Sequence, residues 1–347
     1  MVQGKEVVKA SGLVYVTDSM PGIYRKGKAG KFIYQDKEGN KVTEEKQLSR
    51  IKSLVIPPAW QQVWIAAKPN AYLQVTGTDA AGRKQYKYHP KWVSRRSEDK
   101  YFRLYEFGQV LPLARKNLLK DLKRKEMDER KVLAICVDVL QKTLIRVGNE
   151  NYKQLYGSFG LTTLRDKHVK IEGSSIKMDF VGKKGVKQSV QLNDRSLAKL
   201  IKKCRDIPGQ ELFQFYTDGK NHTGVDSGKI NQYIKEITGS DFTAKDFRTW
   251  GGTLEALRQF AKCSVDDGLE LNTKKMVVQV LDCVAKKLGN TRAVCKSSYV
   301  YPLLITAYEN NDLEKYLKKM NKSKKIDNAG LESDEKILLS FLRASAK

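Results

Sequence analysis

The chain has 347 residues, of which 65 are lysine or arginine and 39 aspartate or glutamate, giving a formal charge of +26. That excess is larger than solubility requires and points to a polyanionic partner, nucleic acid ahead of an anionic membrane surface. The five cysteines, Cys136, Cys204, Cys263, Cys283 and Cys295, are odd in number, widely spaced and without a C-x-x-C pair, which excludes a disulfide framework and a structural zinc site. They are expected to be reduced and mostly buried. No G-x-x-x-x-G-K-[ST] loop or H-E-x-x-H motif is present, so neither a nucleotide cofactor nor a metal is expected. The apolar run in Met1–Val16 is short and broken by charges, and no segment reaches bilayer-spanning length; a soluble, cytoplasmic protein is expected.

The length suits two domains, each with its own core. From Gly12 to about Tyr88 short β-rich runs alternate with turn residues: Lys31–Gln35, a turn at Asp36–Asn40, then Gln62–Ala66 and Tyr72–Thr76, with Pro57 and Pro58 interrupting. The basic stretch Lys91–Lys100 follows His89 and Pro90 and is the candidate linker. In Glu129–Arg146 the residues Val132, Leu133, Cys136, Val139, Leu140 and Leu144 recur at helical spacing, predicting one buried stripe with Arg146 where the helix opens into a loop. Strands are predicted at His168–Glu172, Ile176–Val181 and Val186–Leu192, with Lys183 on the turn Gly182–Gly185. Helices follow near Arg195–Cys204, Lys229–Ile237, Phe247–Cys263, Thr273–Leu288 and Tyr301–Tyr308, with a closing helix from Ser333. Lys318–Lys325 reads as a solvated connection, and Asp266–Asp267 as an ordinary helix connection, because the alternating acidic ligands of a cation loop are missing.

Four segments then stand out: Ile145–Arg146–Val–Gly–Asn149, Phe180–Val–Gly–Lys183–Lys–Gly185, Lys245–Asp–Phe–Arg248–Thr–Trp–Gly–Gly252, and Leu288–Gly–Asn290 running on to Tyr299–Val–Tyr–Pro302. In this order and spacing they resemble the type IB DNA topoisomerases, in the compact form found in poxviruses and bacteria. Gly77–Thr–Asp–Ala–Ala–Gly–Arg–Lys–Gln–Tyr–Lys–Tyr–His89 resembles the DNA-contacting segment at the end of that family's N-terminal domain. The resemblance runs from about Gly12 to Leu317. It implies an α+β architecture: a small β-rich N-terminal domain, residues 1–90, and a larger, mainly helical catalytic domain with a small antiparallel sheet, residues 91–347, forming a C-shaped clamp around double-stranded DNA. A monomer associated with a bacterial nucleoid is expected, with no membrane or small-molecule partner.

The resemblance assigns Tyr299 as nucleophile and Arg146, Lys183, Arg248 and Asn290 as its catalytic neighbours, and the chemistry suits each type. A phosphodiester under attack gathers negative charge on its non-bridging oxygens, which fixed donors stabilise. Arginine is planar and permanently charged, whereas lysine is a point charge able to give up a proton, so Lys183 is assigned as general acid to the departing 5′ oxygen. A phenol with a reference pKa of about 10 is ionised in only about one molecule per thousand at neutral pH, so the site must favour phenolate in the transition state. Asn290 departs from the histidine of poxvirus-like members; it donates a hydrogen bond but cannot shuttle a proton, and it favours a bacterial-type member. Its Gly289–Asn290–Thr291 setting also reads as a plain helix stop. Gln85, Tyr86, Tyr88 and Arg83 are candidate DNA contacts, set against a half-buried surface strand, and Tyr152 a candidate phosphate contact, set against a tyrosine capping the core.

Two other functions share part of this pattern. A tyrosine recombinase uses a similar Arg–Lys–Arg–Tyr set, but Lys245 stands where recombinases usually carry histidine, and a β-rich N-terminal half is unlike their helical one. A non-enzymatic basic nucleic-acid-binding protein would share the composition and its salt-sensitive affinity, against which the complete residue set argues.

Overall fold

The structure is a computed structural model that describes residues 8, 12–28, 31–80, 82, 84–217, 221–263, 273–320 and 330–345, with the backbone alone for 93–102. The chain divides into two compact units, Met1–Tyr101 and Phe102–Lys347, and its architecture is α+β.

The first unit is built on an antiparallel sheet of β1 (Gly22–Lys26), β2 (Ile33–Gln35), β3 (Gln61–Ala66), β4 (Leu73–Thr78) and β5 (Lys84–Tyr88), in the order β2-β1-β3-β4-β5. Successive side chains of a strand face opposite sides, and β3 shows it: Val63 and Ile65 join Ile23, Ile51 and Val75 on one face, while Trp64 and Ala66 join Ala71 and Leu73 on the other. Both faces are therefore covered. The helix Glu45–Ser53 supplies Ile51; its polar sequence has too few apolar residues to announce it. Arg25, buried, donates to the carbonyls of Pro57 (3.1 Å) and Trp60 (2.6 Å) and so ties down the proline-interrupted loop.

The basic stretch 91–100 is helical throughout. It lies within one helix, Pro90–Leu122, and the units divide at Tyr101, inside that helix. An uninterrupted run of charged and large residues without glycine carries no signal that stops a helix, so the composition shift seen in sequence marks a helix start.

In the second unit the helix Glu129–Thr143 is the axis. Asp128 caps it by accepting from the Lys131 N–H. Residues 131–140 are all buried, so the single apolar stripe expected from sequence is instead a helix enclosed all round, by the helices Arg195–Arg205, Ser227–Thr238 and Ala244–Cys263. A three-stranded antiparallel sheet, β6 (Val169–Glu172), β7 (Ser175–Val181) and β8 (Lys187–Asn193), lies beside it; Ile176, Met178 and Phe180 of β7 face inward and Lys177 and Asp179 outward. The short strands β9 (Gln214–Tyr216) and β10 (His222–Gly224) pair separately. Asp266–Asp267 lie outside the described residues, as does the end of Lys318–Lys325, whose first part closes the helix Glu314–Met320. Cys136, Cys204 and Cys295 are buried, Cys283 is exposed, and no disulfide joins any of the five cysteines. Among the described residues no helix is long and apolar enough to cross a membrane.

The last helix, Ser333–Ser345, is fastened by charge. The buried Glu335 carboxylate accepts from both terminal nitrogens of Arg115 (2.6 and 2.9 Å) and from Trp250 Nε1 (3.0 Å). Burial pushes this carboxyl up, but Arg115, the Glu332 N–H and Trp250 outweigh it and hold the pKa below the usual glutamate value. Its stabilising contribution is therefore complete above the ordinary value and disappears as pH falls through the lower folded value. Glu335→Ala should cost about 1 to 3 kcal/mol in urea unfolding near neutrality, since it leaves Trp250 Nε1 buried without its acceptor and takes the carboxylate from the half-buried Arg115, and the gap from the native chain should narrow below pH 4.5; a gap independent of pH would count against this account.

Candidate active site

Helix ends converge in the second unit and bring four of the five proposed catalytic residues together. Leu144 ends the Glu129–Thr143 helix in the left-handed conformation, φ 58°, a costly state for a branched residue that is tolerated where packing enforces it; the Leu144 side chain lies against Gly251, where an added Cβ would come within 2.5 Å of it. The turn frees the Leu144 carbonyl and points the chain into Arg146. The Arg146 and Val147 carbonyls then accept from Leu161 N (2.8 Å) and Thr162 N (2.7 Å). Gly160 is needed there, since a Cβ would sit 2.6 Å from both the Arg146 carbonyl and Gly148.

Arg248 lies near the start of the helix Ala244–Cys263 and is 4% exposed. Its Nη1 donates to the Leu144 carbonyl and its Nη2 to the Leu288 carbonyl at 3.0 Å. Leu288 ends the helix Thr273–Leu288. Arg146 Nη2 donates to the next carbonyl, Gly289 (3.0 Å), and to Asn290 Oδ1. Both guanidiniums are thus held by carbonyls at helix C-termini, where the backbone dipoles favour a cation. Arg115, Arg130 and Arg258 are held by carboxylates instead. Carbonyls leave the full positive charge of Arg146 and Arg248 uncancelled. Burial lowers the pKa of both below the ordinary arginine value, opposed by the Tyr299 phenol, and each guanidinium remains charged.

Asn290 fills two roles at once. Its backbone N–H bonds the Ala285 carbonyl at 3.0 Å and Gly289 has φ 59°, so the helix-stop reading is correct. Its side chain also orients Arg146, which the stop alone does not need. Tyr299 caps the short helix Arg292–Ser298; the Arg248 guanidinium carbon is 5.2 Å from the Tyr299 ring centroid. Two buried donors in this cluster, Arg248 Nε and Asn290 Nδ2, make no hydrogen bond of good geometry, although the Arg248 guanidinium lies within reach of the Tyr299 side chain and the Asn290 amide within reach of the Cys295 thiol. Buried donors are almost always satisfied, and an acceptor placed here would satisfy both. Cys295 lies within their electrostatic reach; burial pushes its thiol up to about 11 against the pull of Arg248 and Arg146, keeping it neutral.

Lys183 stands apart. It occupies the β7–β8 turn, is exposed, and its Nζ lies 5.7 Å from the Tyr152 ring centroid. No hydrogen bond or ion pair among the described residues joins it to Tyr299, Arg146, Arg248 or Asn290. The turn is tethered to the cluster at its base, where Phe159 N bonds the Val181 carbonyl (2.7 Å) and Gln188 packs on Gly289. Tyr152, in the helix Glu150–Tyr156, is 42% exposed and caps no core.

In the first unit Tyr86 is 48% exposed and stacks on Tyr88, ring planes 9° apart. Gln85 donates to Asp79 at 2.8 Å. Lys84, next to Gln85 in β5, pairs with Asp18 at 2.5 Å. Arg83 lies outside the described residues. Among the described residues no cluster of three or more histidine, cysteine or acidic side chains is placed to hold a metal. Sequence reasoning missed the Leu144 carbonyl, which accepts from Arg248, and Thr253, whose hydroxyl donates to the Tyr299 carbonyl at 3.1 Å; the place of Thr253 just past the Arg248 motif was the available signal.

Comparison with known proteins identifies the family of the chain. The family profile described as the catalytic core of eukaryotic DNA topoisomerase I matches residues 88–328, and the profile for the N-terminal domain of bacterial DNA topoisomerase IB matches residues 31–79. DNA topoisomerase 1B of Acanthamoeba polyphaga mimivirus is 34% identical over 84% of this chain and 89% of its own length. DNA topoisomerase 1B of Vaccinia virus (strain Copenhagen) is 26% identical over 70% of this chain and 73% of its own. A solved structure of the XerH site-specific recombinase bound to a palindromic difH substrate is 14% identical, covers 60% of this chain and 51% of its own, and has a TM-score of 0.37, too distant to bear on the argument. With one profile spanning most of the second unit, another matching part of the first, and a viral relative aligned over nearly its full length, the chain belongs to the type IB DNA topoisomerases.

Proposed function

We propose that the enzyme relaxes supercoiled duplex DNA by cutting one strand, holding it as a 3′-phosphotyrosyl adduct while the other end rotates, and resealing it. The observation that carries this reading is the pair of buried donors without a hydrogen bond of good geometry, Arg248 Nε and Asn290 Nδ2, beside a tyrosine ring and two arginines held by no carboxylate. A phosphate oxygen is an acceptor of the right charge for both.

In the forward step the Tyr299 oxygen bonds phosphorus and the bond to the 5′ oxygen breaks. The phenol proton leaves to solvent or base, and Lys183 supplies a proton to the departing oxygen. Arg146, Arg248 and Asn290 meet the charge that builds on the non-bridging oxygens. In the reverse step the 5′ hydroxyl attacks and Tyr299 departs. The phosphodiester is exchanged for a phosphotyrosine, so its bond energy is retained, and we assign the reaction no need for ATP or an essential metal. Lys183 suits a moving proton donor: it is exposed on a tight turn, free of the cluster that fixes the arginines. Tyr86, Tyr88, Gln85, Arg83 and Tyr152 are proposed contacts to the duplex, the exposed rings of Tyr86 and Tyr152 being the best supported. We propose that the enzyme acts as a monomer in the cytoplasm, on nucleoid DNA.

Tyr299→Phe should abolish both the denaturation-resistant DNA adduct and plasmid relaxation while leaving salt-dependent duplex binding in place; a persisting adduct would falsify the nucleophile assignment. Lys183→Ala should regain strand cleavage on a duplex whose scissile 5′ oxygen is replaced by sulfur, a leaving group that departs without a proton, whereas Arg248→Ala should not; equal rescue of both would remove Lys183 as the acid. Asn290→Ala should slow adduct formation about 100-fold. Asn290→Asp, which keeps the acceptor for Arg146 but turns negative charge toward the phosphate, should be slower still, and a faster aspartate variant would show that Nδ2 does not face an anion.

A further inference from the structure

The helix that carries Arg248 also touches the backbone of Tyr299. Thr253 on that helix is fully buried, 0% exposed. Its hydroxyl donates to the Tyr299 carbonyl at 3.1 Å and accepts from the Tyr301 N–H at 3.2 Å. A hydroxyl can do both, and here it satisfies the two backbone groups flanking Val300, where the chain leaves the helix Arg292–Ser298 and before it enters the helix Pro302–Glu309. A valine of the same shape would leave both groups buried and unpaired.

Gly252, the preceding residue, removes the remaining space. A Cβ there would lie 2.9 Å from the Tyr299 carbonyl oxygen, 3.3 Å from the Tyr299 Cβ and 3.1 Å from Leu288 Cδ1. Tyr299 therefore lies directly on the helix, with room for a hydrogen only. The same rigid element holds the Arg248 guanidinium 5.2 Å from the tyrosine ring. Nucleophile and phosphate donor are thus referenced to one body, and their separation does not depend on the looser packing of the short tyrosine helix.

We propose that Thr253 is a positioning residue, and with Gly252 forms a seat that sets the reach of the Tyr299 oxygen toward the phosphorus. The proposal rests on Tyr299 being the nucleophile. It predicts a defect in the rate of the chemical step with little change in DNA affinity, because neither residue is exposed to a duplex. The transition state is shared by cleavage and resealing, so both should slow by the same factor.

The test uses the full chain in excess over a supercoiled plasmid, with adduct trapped by detergent at timed intervals and duplex affinity measured separately by filter binding. Thr253→Val should slow adduct formation about 10- to 100-fold, the scale of a misplacement near 1 Å, with the dissociation constant held within about twofold, under half a kcal/mol. Thr253→Ser, which keeps the hydroxyl, should stay within about threefold of the native rate. Gly252→Ala should slow the step comparably although alanine is the better helix former, and it carries the test alone if the valine variant does not fold. The seat is overturned if Thr253→Val and Gly252→Ala both react within about threefold of the native rate, if serine is as slow as valine, or if the loss follows affinity. Tyr299→Phe run alongside separates the two readings: an adduct from that variant sinks the nucleophile itself, whereas an inert Tyr299→Phe with a fast Thr253→Val sinks only the seat.

Discussion

The C-terminus of the helix Thr273–Leu288 is the point on which the candidate site depends. Its last carbonyl, Leu288, receives Arg248, and the next, Gly289, receives Arg146, with Asn290 Oδ1 beside it. Burying a guanidinium is costly unless its protons are bonded. Carbonyl oxygens at a helix end meet that requirement with partial charge only, so the two arginines are desolvated and bonded yet keep their net charge. A carboxylate in the same place would hold them as firmly and cancel that charge.

Other features of the second unit serve that arrangement. The left-handed Leu144 offers the other carbonyl to Arg248 and turns the chain into Arg146. The glycines at 251 and 252 let Leu144 and Tyr299 approach the Arg248 helix from different sides. Behind that helix Trp250 bonds the buried Glu335, and Arg258 pairs with Asp334, so the closing helix is locked to the element that carries Arg248. Carboxylates are thus used where only cohesion is at stake and are kept from the two arginines of the cluster.

Much of this was open to reading from residues alone. The spacing around Arg146, Lys183, Arg248, Asn290 and Tyr299 identified the family that the profiles and viral relatives then established. The strands β6 to β8 and most helices of the second unit were visible in their periodicity because each has one face inward. Less was visible where periodicity is absent. The Glu129–Thr143 helix, buried all round, looked like an amphipathic one; the polar Glu45–Ser53 helix has only Leu48 and Ile51 at helical spacing, and 91–100 carries no sustained apolar repeat.

The sequence by itself determined which chemistry is on offer: a tyrosine, two arginines, a lysine and an amide in a set order, on a strongly basic chain without nucleotide or metal motifs. These are properties of residue type and spacing, and they survive without coordinates. Only the tertiary structure decided how the charges are held, because hydrogen bonds to backbone carbonyls leave no mark on residue identity. Leu144, Leu288 and Gly289 act through groups that every residue possesses, and Thr253 reaches the Tyr299 carbonyl across a separation in sequence that no local pattern records.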